Sequence, residues 1–170
     1  SEKITANNLT IKGNSIITVL PEKILSLTIP NITVNFGSSI SADYKGYGVN
    51  QGPGVSSENS IGASYGGISS GGTNYSSIYG SATNPTDLGS GGSYGRGGGS
   101  IKIIASNFLE NNGKISADGN SSASGGSINI KANNITGSGK IVAGGGGLTF
   151  GSYFKSPGGG GRIALYYQTS

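Results

Sequence analysis

Residues 98–119 read GGSIKIIASNFLENNGKISADG, and residues 125–146 read GGSINIKANNITGSGKIVAGGG. These are one phrase written twice. Gly-Gly-Ser-Ile-x-Ile opens each copy, and Gly-Lys-Ile-x-Ala nears the close of each. A further copy starts at residues 160–167, GGRIALYY. Self-similarity at a short fixed period marks coils of chain stacked on one another. In a strand, alternate side chains point the same way. Ile101, Ile103 and Ala105 therefore match Ile128, Ile130 and Ala132 as interior columns. Ile115 and Ala117 match Ile141 and Ala143 as a second set. Lys102 and Asn129 fall between and are expected to face water. Glycine sits where the chain turns sharply. The expected fold is all-β: a right-handed parallel β-helix, or β-solenoid, with a long Gly/Ser/Tyr-rich excursion.

Working outward, residues 4–20 and residues 24–43 read as two more coils. Ala6-Asn7-Asn8-Leu9-Thr10 parallels Ala132-Asn133-Asn134-Ile135-Thr136, and Ile40-Ser41-Ala42-Asp43 is repeated as Ile115-Ser116-Ala117-Asp118. The organisation is one domain over residues 1–170, with coils at about 4–43 and 98–167. An insertion separates them at about 44–97. It is rich in Gly, Ser, Tyr and Asn, with almost no aliphatic alternation, and reads as a long excursion. Tyr44, Tyr47, Tyr65, Tyr75, Tyr79 and Tyr94 are the side chains available to pin it. A polyproline-II-like glycine bundle is the less favoured alternative, because the glycines keep no strict period of three. A smaller excursion, residues 144–161, carries Leu148, Phe150, Tyr153 and Phe154. These aromatic and aliphatic side chains are expected to fold over an end or flank of the stack.

Composition narrows the rest. Gly supplies 34 of the 170 residues, and Cys, Met, Trp and His are absent. So many glycines rule out a helical bundle, since each costs about 1 kcal/mol inside a helix. The net charge is +4, but the cations are scattered rather than clustered, so nucleic acid is not an expected partner. No run approaches the roughly 18 apolar residues that span a bilayer. No secretory signal is present, so any such signal is expected to have been removed or to lie outside these residues.

The succession GGGSIKI, GKISADG, SGGSINIKA, ITGSGKIVAGGG and GGGGRIALYY resembles the glycine-rich β-helix repeats of very large secreted or surface proteins of microbial eukaryotes and bacteria. The resemblance covers about residues 37–48 and 89–167. It implies an extracellular or cell-surface location and a structural or adhesive role, and it brings no catalytic residues with it.

The chemistry-bearing residues are few. The acids are Glu2, Glu22, Asp43, Glu58, Asp87, Glu110 and Asp118, and no histidine is present to act as a base near neutral pH. No catalytic residue and no cofactor is expected. Asp43 and Asp118 end the same tetrapeptide and are weak metal candidates, since stacked carboxylates can hold calcium. The competing reading is that each caps its own turn. Lys114 and Lys140 share the Gly-Lys-Ile step, either as an anionic-glycan contact or as solvated lysines that block lateral pairing. No phosphate loop of the Gly-x-x-x-x-Gly-Lys type occurs. Asn8, Asn31, Asn74, Asn120 and Asn134 each begin Asn-x-Ser/Thr and are glycosylation candidates.

The two ends lack a capping helix, so the chain is expected to be a cut from a longer stack or a subunit that stacks end to end. Ile4 and Leu9 mark one assembly end. Ile163, Leu165, Tyr166 and Tyr167 mark the other. The expected function is that of a non-enzymatic extracellular subunit or module of a surface fibre or filament, self-associating head to tail. A surface adhesin or carbohydrate-binding module with a glycan partner is the alternative.

Overall fold

The computed structural model describes residues 2–55, 62–69, 77–147 and 156–168. Tyr75, Leu148, Phe150, Tyr153 and Phe154 lie outside them. The regular secondary structure described is entirely β, and no helix among the described residues is long and apolar enough to cross a membrane.

The strands come in triplets. The first is β1 (Glu2–Thr5), β2 (Asn8–Ile11) and β3 (Ile16–Thr18), and the second is β4 (Ile24–Thr28), β5 (Asn31–Val34) and β6 (Ser39–Ser41). In the third triplet the first two strands fuse into β7 (Ser100–Asn111), followed by β8 (Lys114–Ser116). The fourth repeats this as β9 (Ser127–Thr136) and β10 (Lys140–Val142), and β11 (Arg162–Tyr166) follows.

Every pairing between these strands is parallel, and each strand pairs with its counterpart in the next triplet. The first positions run β1, β4, β7, β9, β11. The second run β2, β5, then the far halves of β7 and β9. The third run β3, β6, β8, β10 as a separate sheet. The register matches like with like: Leu25, Ile101, Ile128 and Ile163 form one column, and Leu27, Ile103, Ile130 and Leu165 another. Leu9, Ile32, Leu109 and Ile135 form a third. Ile17, Ile40, Ile115 and Ile141 form the fourth, on the smaller sheet. A single irregularity lies between Ala105 and Phe108, where β7 carries one residue more than β9.

These columns make the core. Leu27, Ile32, Ile40, Ile101, Ile103, Leu109, Ile115, Ile128 and Ile130 are fully buried in one cluster. Burying each such side chain contributes about 1.5–3 kcal/mol. Lys102 is half-buried, and Asn129 departs from the sequence expectation. It is buried, because Asn84 of the excursion lies over it and accepts a 2.7 Å hydrogen bond from its Nδ2.

The excursion is not a loose drape over the stack. Residues 89–91 exchange backbone hydrogen bonds with Tyr47, Gln51, Gly98 and Ser124. Residues 158–160 do the same with Ala63, Gly66, Gly67, Gly125 and Gly146. A β-strand has two edges, whereas each of these segments bonds to three neighbouring segments. The arrangement is a bundle of glycine-rich segments, each hydrogen-bonded on more sides than a two-edged strand allows. Glycine permits it: at Gly91 a Cβ would run into the carbonyl oxygen of Gly48, and at Gly126 into that of Gly99.

Candidate functional site

The strand columns end differently from how they run. Ile4 aligns with Leu27, yet Ile4 is 39% exposed and Leu27 fully buried. At the other end Ile163 and Leu165 align with the fully buried Ile128 and Ile130, yet are 42% and 39% exposed. Leu9, Ile17, Ile135 and Ile141 are only partly buried for the same reason. Among the described residues, β1, β2 and β3 at one end, and β11, β10 and the far half of β9 at the other, have no strand on their outer side. Among the described residues, each end therefore presents a strand edge with no strand beside it, next to partly uncovered aliphatic side chains; at β9 the Asn133 carbonyl accepts from the Gln168 N–H.

The terminal tyrosines behave differently. Tyr166 aligns with Lys131, on the alternate face from Leu165, and its hydroxyl donates to the carbonyl of Thr83. Tyr167 is exposed. Tyr166 thus ties the excursion to β11 through its hydroxyl while its side chain stays exposed. Beside it, Lys102, Asn129, Lys131, Thr83 and Asn84 line a groove of about 520 Å3.

Asp43 and Asp118 stack as the repeated tetrapeptide implies. Asp43 Oδ1 accepts the backbone N–H of Asp118 at 2.7 Å, and Asp118 Oδ1 accepts that of Gly144 at 2.7 Å. Asp43 Oδ2 also accepts the Ser116 hydroxyl at 2.9 Å. The Lys114 ammonium bridges the pair, 3.4 Å from Asp43 and 3.0 Å from Asp118. All four carboxylate oxygens thus have a protein donor. Partial burial pulls the Lys114 pKa down, but the hydrogen bond to Asp118 and the charges of both aspartates outweigh it and leave the value raised. No group of three or more His, Cys, Asp or Glu residues among the described residues could hold a metal ion. Lys114 and Lys140 are neighbours in the register. Only Lys114 is drawn into this cluster.

The asparagines form a second ladder. Asn31 Nδ2 donates to Asn8 Oδ1 at 2.7 Å, and Asn107 Nδ2 donates to Asn31 Oδ1 at 3.0 Å. Asn134 sits one strand further on, opposite Phe108. Asn120 lies outside the ladder and is exposed, its Oδ1 accepting from Ser121. Asn74 lies outside the described residues.

Five contacts were hidden from sequence reasoning because no local spacing signals them. Tyr65 is fully buried and its hydroxyl meets that of Ser127 at 2.6 Å. Tyr79 donates to the Leu88 carbonyl at 2.6 Å, its ring 4.6 Å from that of Tyr65. Burial pushes both phenols above their usual range. Arg162 lies 5.5 Å over the Tyr65 ring and donates from Nε and Nη2 to the Tyr79 carbonyl. These contacts clip the excursion to the opening of β9 and β11.

No family model, curated protein or solved structure matches this chain.

Proposed function

We propose that this chain is a non-enzymatic structural module of an extracellular fibre or cell surface. Its triplets would wind as a right-handed parallel β-helix, and its strand ends would take on a further coil from a second copy, head to tail. The observation that carries this reading is the uncovered column ends. Ile4, Ile163 and Leu165 occupy positions whose register partners are fully buried. A coil laid on either end in the same register would complete both the columns and the backbone ladders. Repeated head-to-tail contacts that do not close yield filaments.

The side-chain ladders support a structural rather than a catalytic role. The stacked carboxylates are engaged by backbone N–H groups, a serine and a lysine, an arrangement that fixes one turn to the next. The extracellular placement rests on the likeness of the repeats to surface-protein repeats and on the exposed Asn120 acceptor. The test is sedimentation with negative-stain electron microscopy across protein concentration. Axial assemblies that dissociate in the Ile163→Lys/Leu165→Lys double variant are expected. Particles that stay single at every concentration would overturn the assembly reading.

A further inference from the structure

The bend between the second and third strand positions changes length along the molecule. Four residues, Asn35 to Ser38, separate β5 from β6, but only two, Asn112 and Gly113, separate β7 from β8. Where the long bend meets the short one, the surface steps down. Phe36 stands at the step, lining one hollow of about 450 Å3 and an adjoining one of about 550 Å3. At 89% it is the most exposed large apolar side chain described.

A single exposed apolar residue needs no explanation by itself. Two independent features of the same hollow give this one a meaning. Ser38 lines it and is only 2% exposed, yet its Oγ has no hydrogen-bond partner. Buried hydroxyls nearly always have one. Lys140 also lines it and makes no ion pair among the described residues. No acidic side chain contributes to the lining of either hollow. The surface therefore combines a flat apolar ring and an unpaired cation with a buried hydroxyl that lacks a partner. Pockets that hold small polar ligands share this make-up: an apolar platform with a few convergent polar groups.

We propose that this trough binds an acidic glycan. The apolar face of a sugar ring would lie on Phe36, and a sugar carboxylate would meet Lys140 in a charge-assisted hydrogen bond. Phe36 belongs to the second triplet and Lys140 to the fourth. Two strand spacings of about 4.8 Å separate them, so the fitting ligand is an oligosaccharide and not a lone sugar. The site lies on a bend and not at the strand ends, so it stands or falls independently of head-to-tail assembly.

The experiment is a calorimetric titration with an oligogalacturonate and, separately, an uncharged cello-oligosaccharide of equal length. The wild-type protein is expected to bind the oligogalacturonate more tightly. Phe36→Ala should weaken that binding by about tenfold or more, equivalent to about 1.4 kcal/mol. Lys140→Gln should weaken it less, remove its preference over the neutral sugar, and flatten its dependence on salt. Tyr44→Ala, which removes another exposed aromatic, should change nothing. The exposure of Phe36 means its loss leaves the core intact, and circular dichroism checks this. Unchanged binding in Phe36→Ala, equal affinity of the wild type for the two sugars, or no binding of either would each overturn the proposal.

Discussion

The strand triplets and the glycine bundle are built from the same kind of chain yet held by opposite means. In the triplets, aliphatic side chains fill the interior: Leu25, Ile101 and Ile128 stack in one column between paired backbones. In the bundle there is almost nothing to stack. Residues 89–91 and 158–160 are held because their backbones approach closely enough to hydrogen-bond in several directions. The triplets are stabilised chiefly by apolar area removed from water, and the bundle by the absence of Cβ atoms plus a few tyrosine clips. One region should therefore suffer most from lost side-chain volume, and the other from added volume.

The largest effect is expected from Ile103→Ala. Ile103 is fully buried between Leu27 and Ile130. Its truncation should cost about 2–5 kcal/mol in chemical denaturation. A cost below that of the bundle variant described next would erase the contrast. Gly91→Ala adds a single methyl where the Gly48 carbonyl already stands. It is expected to cost about 1–3 kcal/mol, with faster amide exchange concentrated at Tyr47, Gly89 and Gly98 rather than in the strands. A neutral result would mean that the close approach is not what orders the bundle.

Tyr65→Phe sharpens the comparison at the seam. It keeps the ring and strips the hydroxyl that meets Ser127, so a loss of about 1–2 kcal/mol is expected. The seam also gives the protein an alkaline weakness. The phenols of Tyr65 and Tyr79 are raised in the folded state, so above about pH 10 the unfolded chain gives up protons that the folded chain retains. By linkage, stability then falls as pH rises. Lys114 adds to the same trend. Its raised folded value means its contribution is fully present below the ordinary lysine value of 10.5 and is lost as pH rises through the folded value. Denaturation midpoints should therefore drop above pH 10. Tyr79→Phe is expected to flatten most of that drop, and Lys114→Gln, at a half-exposed site, only a small part. A midpoint indifferent to pH in that range would contradict the buried seam.

These differences also explain what could be read beforehand. The triplets were legible because an Ile-x-Ile rhythm specifies which side faces in, and the repeated phrase specifies which residues meet. The pairing of Asp43 with Asp118 followed from the repeated Ile-Ser-Ala-Asp. The bundle was far less legible. Its order lies in backbone contacts, and glycine offers no side-chain rhythm from which to infer them. For the same reason Asn129 was expected in water, since nothing in Ser-Ile-Asn-Ile announces that Asn84 lies over it. Nothing in the sequence singles out Phe36, because its setting arises from the bend after Val34 being longer than the bend after Asn111.

The fold rests on the in-register parallel pairing of residues far apart in sequence. Thr33 and Glu110 are direct partners on β5 and β7. The chain has no cysteine, so Thr33→Cys/Glu110→Cys carries two unique nitroxide labels. Strong dipolar broadening of the frozen-solution spectrum is expected, as for backbones about 4.8 Å apart. Spectra equal to the sum of the two single-label spectra would contradict the fold and everything drawn from it.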